Sequence, residues 1–152
     1  MQNLFGQAKI ELPSSFRDDY NKYCQHKNPG AREKTHKYPF PRNVDMWFLS
    51  ICIAVKLEIE PDFSFFPYKG GEWNAIPGSV FGSDLWMSDS LVLLAIAYTK
   101  DKSIIDKPNE MMKIANAYAI AGHASLLVKL KEGEGDSILD CISDYLVELI
   151  EE

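Results

Sequence analysis

Residues 43–57, NVDMWFLSICIAVKL, constrain the fold more than any other stretch. From Met46 to Leu57 only Ser50 and Lys56 are not apolar. A helix with no wet side is stable only when other elements enclose it. Its β-branched residues are indifferent helix formers, so packing rather than propensity must hold it. Asn43 can cap its start, and Asp45 sits in the first turn, where a carboxylate suits the positive end of the helix dipole.

The rest of the chain supplies the enclosing elements. A second apolar helix, Leu85 to Tyr98, contains LVLLAIAY and is opened by Ser83 or Ser88. Ser14 and Ser15 can start a helix that aligns Phe16, Tyr20, Tyr23 and Cys24. Asn109 opens a long helix through Lys131 with Gly122 inside it, and EGEGD ends it. Asp136 or Ser137 opens the last helix, whose Ile138, Leu139, Ile142, Tyr145, Leu146 and Leu149 form a one-sided stripe. AKIEL alternates and could be a short N-terminal strand, stopped by Pro13. The reading is mainly α: one domain over 1–152, a bundle of about five helices with the two apolar ones central. Residues 61–84 are rich in aromatics, Gly and Pro and cannot be a regular helix. Their aromatics are expected to fold back onto the core. Whether 27–42 and 61–84 are ordered alone is open at this level.

Charge is unevenly placed. The net charge is −6, so general attraction to nucleic acid or anionic lipid is not expected. Yet residues 16–42 carry seven bases (Arg17, Lys22, Lys27, Arg32, Lys34, Lys37, Arg42) against three acids, and 132–152 carry eight acids and no base. Solvated surface is the plain reading. The sharper one is a basic patch for a polyanion or an acidic partner. Three cysteines without a C-x-x-C suit reduced thiols and a cytoplasmic protein. The start is not that of a signal peptide, and no apolar run reaches the roughly 20 residues of a membrane span.

No catalytic signature stands out: no G-x-S-x-G, no Walker-type loop, no H-E-x-x-H. Cys24 and His26 are a weak metal pair, and His123 beside Gly122 reads better as a packed histidine than as a base. The expectation is therefore no catalytic residue, no metal and no cofactor. Two places could carry contacts instead. Arg42 and Asp45 stand at a helix mouth and could hold a partner's charged group, although a local ion pair is favoured. In FFPYKGGEW, Tyr68, Lys69 and Trp73 could form a stacking surface with one cation, as a single strand or nucleotide needs. Aromatics plugging the core are the favoured reading there. The strand-then-helix start also has the order of a ribbon-helix-helix DNA binder, but Glu11 would repel phosphate and the loop between the helices is too long.

The basic stretch before RNVDMWFLSICIAVKL, the aromatic-Gly loop, DSLVLLAIAYTKD with its Ile-Ile-Asp break, and IANAYAIAGHASLLVKLKEGEGD together resemble a known family. It is the small proteins associated with DNA sulfur modification (phosphorothioation) gene clusters, and the likeness spans about residues 30–135. The resemblance implies an accessory role in a bacterial anti-phage defence or DNA-modification complex, with no catalytic residues to carry over. Expected partners are larger protein subunits of such a complex, with nucleic acid reached through it, no membrane, and room for a homo-oligomer. Candidate contact residues are Arg32, Lys34, Lys37, Arg42, Asp45, Tyr68, Lys69 and Trp73. The alternative is a direct nucleic-acid binder using segment 17–42 and loop 63–73.

Overall fold

The structure is a computed structural model that describes residues 3–64 and 72–151. It is mainly α, with a small antiparallel sheet of two strands among the described residues. In chain order the elements are β1 (Lys9–Pro13), α1 (Arg17–Tyr23), α2 (Asn43–Lys56), β2 (Glu72–Pro77), α3 (Leu85–Thr99), α4 (Pro108–Glu132) and α5 (Ile138–Glu151). Short 3-10 turns precede α1, α3 and α4 and punctuate the loop between α1 and α2. One continuous core runs from Phe5 to Leu149.

The centre belongs to α2 and α4. Met46, Trp47, Ser50, Ile51, Ile53 and Ala54 of α2 are buried, and α4 packs against α2, α3, α5 and β1. The sequence places the second apolar helix, 85–98, in that central role, but α4 takes it. The reason is close approach. Along α4 the buried face is rich in small residues: Ala115, Ala117, Ala119 and Gly122. A Cβ on Gly122 would stand 1.9 Å from the carbonyl oxygen of Ser50. The buried face of α3 has no glycine and alternates Met87 and Leu91 with Ser88 and Ala95. The crossing is also fixed chemically, because the buried Trp47 indole N–H donates to Asn116 Oδ1 at 3.0 Å.

β1 is paired within the chain. Ile10 faces Ile76, then Glu11 faces Asn74, so Ala75 is an extra residue in β2. The carbonyl of Ala75 accepts from Asn43 Nδ2 at 3.1 Å. Asn43 is therefore a tie between α2 and the sheet, not the helix cap. Arg42 holds the N-cap position, and the Asp45 carboxylate accepts its backbone N–H at 2.9 Å. Other starts shift in the same way: Asp84 rather than Ser83 or Ser88 precedes α3, and Pro108 is the first residue of α4. At α5 Ser137 does act as expected, its Oγ accepting from Asp140 N at 3.2 Å.

The long basic loop is pinned. Gln25 N donates to Phe40 O at 2.8 Å, and Asn28 Nδ2 donates to the carbonyls of Asn21 and Cys24. Phe40 is buried. The His36 carbonyl accepts from both Ile138 N (2.8 Å) and Leu139 N (3.1 Å), so the loop caps the start of α5. Phe63, Trp73 and Phe81 do fold onto the core.

Candidate protein interface

Arg42 leaves the helix mouth and forks onto two carboxylates. Its Nη2 lies 3.1 Å from Asp45 Oδ1, and its Nη1 lies 2.8 Å from Asp84 Oδ2. The bonds to Asp45, then to Asp84, raise the guanidinium pKa above its ordinary value. One side chain thus ties the start of α2 to the start of α3. The sequence indicates the Arg42–Asp45 pair but not Asp84 as its third member, 42 positions away.

Beside this node the α1–α2 loop frames a cleft of about 790 Å3, lined by Gln25, His26, Asn28, Arg32 and Arg42 among others. Arg32, Lys34 and Lys37 are exposed, and none of them is in an ion pair among the described residues. Burial, then Lys27, lowers the His26 pKa from its ordinary value. The two charged ends of the chain meet in space. Glu134 accepts from Tyr23 Oη at 2.6 Å and pairs with Lys22, and Lys37 lines the same small cavity. Part of the basic segment is therefore answered by the protein's own acids.

Trp73 is partly buried, with its ring 5.5 Å from that of Tyr20 in an edge contact. That is the core-plugging arrangement. Tyr68 and Lys69 lie outside the described residues. Cys24 and His26 do not converge: Cys24 is buried, its thiol pushed up to about 12 by burial and by Asp45, and His26 is exposed. His123 is buried, stacked on Phe16 at 3.9 Å, with Nε2 3.1 Å from Asp19 Oδ2. It is a packed histidine. No group of three or more His, Cys, Asp or Glu converges as a metal site among the described residues.

A further surface is apolar, and the sequence does not reveal it. Along α3, Trp86 (59% exposed) and Leu93 (67%) sit on the side opposite the buried Met87, Leu91 and Ala95. The Trp86 ring meets Phe48 of α2 edge-on at 5.3 Å. Phe48, Cys52 and Val55 follow one another along one side of α2, and Cys52 and Val55 are exposed. On the other side of that strip, Cys52, Ile53 and Lys56 form one wall of a groove of about 480 Å3, with Leu146, Leu149 and Ile150 of α5 as the other. Ile150 is 80% exposed. The face thus crosses three helices: Trp86 and Leu93, then Phe48, Cys52 and Val55, then Leu146 and Ile150. Helix 43–57 is apolar all round but not enclosed all round.

No helix among the described residues is long and apolar enough to cross a membrane. Comparison with family models, curated proteins and solved structures finds no match to this chain.

Proposed function

We propose that this chain is a non-enzymatic adaptor, an accessory subunit of a bacterial anti-phage defence or DNA-modification complex that works in the cytoplasm through protein–protein contacts. The observation that carries the reading is the face of Trp86, Leu93, Phe48, Val55 and Ile150. Burying large apolar side chains is the main source of folding and association free energy. A connected set left outside a well-packed core marks an interaction site. The resemblance to the accessory proteins of DNA sulfur modification supplies the setting.

The test is a double substitution, Trp86→Ser with Leu93→Ser. Both side chains are mostly exposed, so the variant should stay folded, giving up only the Trp86–Phe48 ring contact, worth about 0.5–1.5 kcal/mol, yet lose the proteins that the parent retains from its native host. Retention of the same proteins by the variant counts against the reading. So does turnover of a nucleotide or nucleic acid by the purified chain that one point mutation abolishes. A second reading, direct nucleic-acid binding, draws on the exposed Arg32, Lys34 and Lys37.

A further inference from the structure

We infer that two adjoining cavities between the α1–α2 loop and β2 form one binding site for a small organic acid, its apolar body in the smaller cavity and its carboxylate in the larger. The site shares no residue with the apolar face behind the adaptor reading and does not depend on it. The smaller cavity, of about 310 Å3, is walled by Val44 at the start of α2, by Ala75, Ile76 and Pro77 of β2, and by Val80. The larger is the cleft of about 790 Å3, which Arg32 and Glu33 line. His26 and Arg42 line both, so the two cavities meet there. A space of roughly 300–1,000 Å3 with apolar walls and a few convergent polar groups is the form of a small-molecule site.

The walls are fixed before any ligand arrives. On the loop side, Asn28 Nδ2 donates to the carbonyls of Asn21 at 2.8 Å and Cys24 at 2.7 Å, and Gln25 Nε2 donates to Tyr38 O at 3.0 Å. On the other side, Asn43 Nδ2 braces α2 against the Ala75 carbonyl. At the junction, Asp45 and Asp84 hold the fork of Arg42. A site already in shape loses little entropy on binding. Its junction also holds two groups with displaced pKa values. His26 is lowered by burial, then by Lys27, and Arg42 is raised by its bonds to Asp45, then to Asp84. Such groups gather at functional sites.

The lining charges choose the head group. They are two guanidinium groups, Arg32 and Arg42, against one carboxylate, Glu33. Asp45 and Asp84 neutralise Arg42, yet they take only one hydrogen each from its Nε, Nη1 and Nη2. The second hydrogens of Nη1 and Nη2 have no partner among the described residues, so Arg42 can still donate. Arg32 is in no ion pair among the described residues. A planar guanidinium is best matched by a carboxylate.

The test titrates the isotope-labelled chain with three probes that share a body and differ in the head: phenylacetate, phenylacetamide and phenethylamine. Backbone amide shifts are read by NMR. Phenylacetate should shift His26, Arg32, Ala75, Ile76 and Val80 saturably, in the millimolar range usual for so small a probe. Phenylacetamide should bind about threefold more weakly, and phenethylamine should give no saturable shift. Arg32→Gln should weaken phenylacetate about threefold, and Glu33→Gln should tighten it by a similar factor. Both side chains are exposed, and a loosened fold cannot produce effects of opposite sign. Hexanoate repeats the titration with an aliphatic body. The absence of saturable shifts with both acids overturns the inference. So does equal binding of the three probes, or a set of shifts confined to Val55, Trp86 and Ile150. Two variants that move affinity in the same direction, or leave it unchanged, overturn it as well. None of these outcomes touches the adaptor reading, which is tested by retention of host proteins in Trp86→Ser with Leu93→Ser.

Discussion

At Gly122 the backbones of α2 and α4 touch. A methyl group there would meet the Ser50 carbonyl oxygen at 1.9 Å and its carbon at 2.9 Å. No rotamer can relieve a clash between a Cβ and a backbone, so the helices must part. Gly122→Ala gains helix propensity, worth roughly 1 kcal/mol. Overpacking of a core costs about 1–3 kcal/mol and more where backbone must move. The variant should be destabilised by about 2 kcal/mol in denaturant titration, and wild-type stability would mean α2 and α4 do not cross there. The next residue, His123, makes a different prediction. Burial lowers its pKa, and the hydrogen bond and charge of Asp19 offset this only in part. As pH falls, the unfolded chain, with an ordinary histidine near about 6.5, takes up the proton before the folded one. The stability due to the neutral ring is therefore complete above that value and is lost as pH falls toward the lower folded value. His26 adds a shift of the same sign, so the comparison must be with a variant. His123→Phe, which keeps the stack on Phe16, should lose less stability than the parent between about pH 7 and pH 5. Parallel pH profiles would show that Asp19, not burial, controls the ring.

Element by element, most of the secondary structure is legible because its signals are local. The one-sided stripe of α5, the Gly-rich turn after α4 and the Pro at the end of β1 each act within a few residues. β2 is not legible. Its residues lie in a Gly, Pro and aromatic stretch with no clean alternation, and the bulge at Ala75 breaks the period that would reveal it. Only β1, some sixty residues earlier in the chain, makes it a strand. The rank of α3 is misread for a related reason. Composition says that a helix is apolar, and it cannot say whether a neighbour with small residues will win the central place. The candidate interface is hidden by the same ambiguity, since Trp86 and Leu93 read as core in the sequence. The two sides of α3 can be separated by mutation. Leu91→Ala removes a buried side chain and should cost about 2–5 kcal/mol. Leu93→Ser, two residues on and 67% exposed, should change stability by about 0.5 kcal/mol or less. Equal costs in thermal unfolding would mean that α3 is enclosed on both sides in solution.

For the molecule as a whole, the distribution of charge weighs the adaptor against the nucleic-acid binder. Linear sequence separates a basic segment from an acidic one, but the fold joins them. Lys22 and Tyr23 meet Glu134, Lys37 borders the same cavity, and the His36 carbonyl caps α5. Arg42, beside Pro41, spends its fork on Asp45 and Asp84. What remains for phosphate in segment 17–42 is the exposed Arg17, Lys27, Arg32, Lys34 and Lys37, of which Arg32, Lys34 and Lys37 are the candidate contacts, and they must act against a net charge of −6. Three phosphate contacts give a salt slope of about −2 to −3 in log–log form, and little affinity remains at about 0.15 M salt. Single- and double-stranded DNA should therefore bind weakly at low salt and not measurably at physiological salt. Arg32→Ala with Lys34→Ala should remove the residue of binding while leaving host-partner retention intact. Tight binding at physiological salt, lost in that double variant, would reverse the order of the two readings. It would make the loop, rather than the apolar face of α2, α3 and α5, the working surface of this protein. The adaptor reading requires the opposite pattern: partner retention that ignores Arg32 and Lys34 and fails when Trp86 and Leu93 are made polar. The two surfaces are built from different elements, so each pair of substitutions reports on its own surface once unfolding curves show that both variants remain folded.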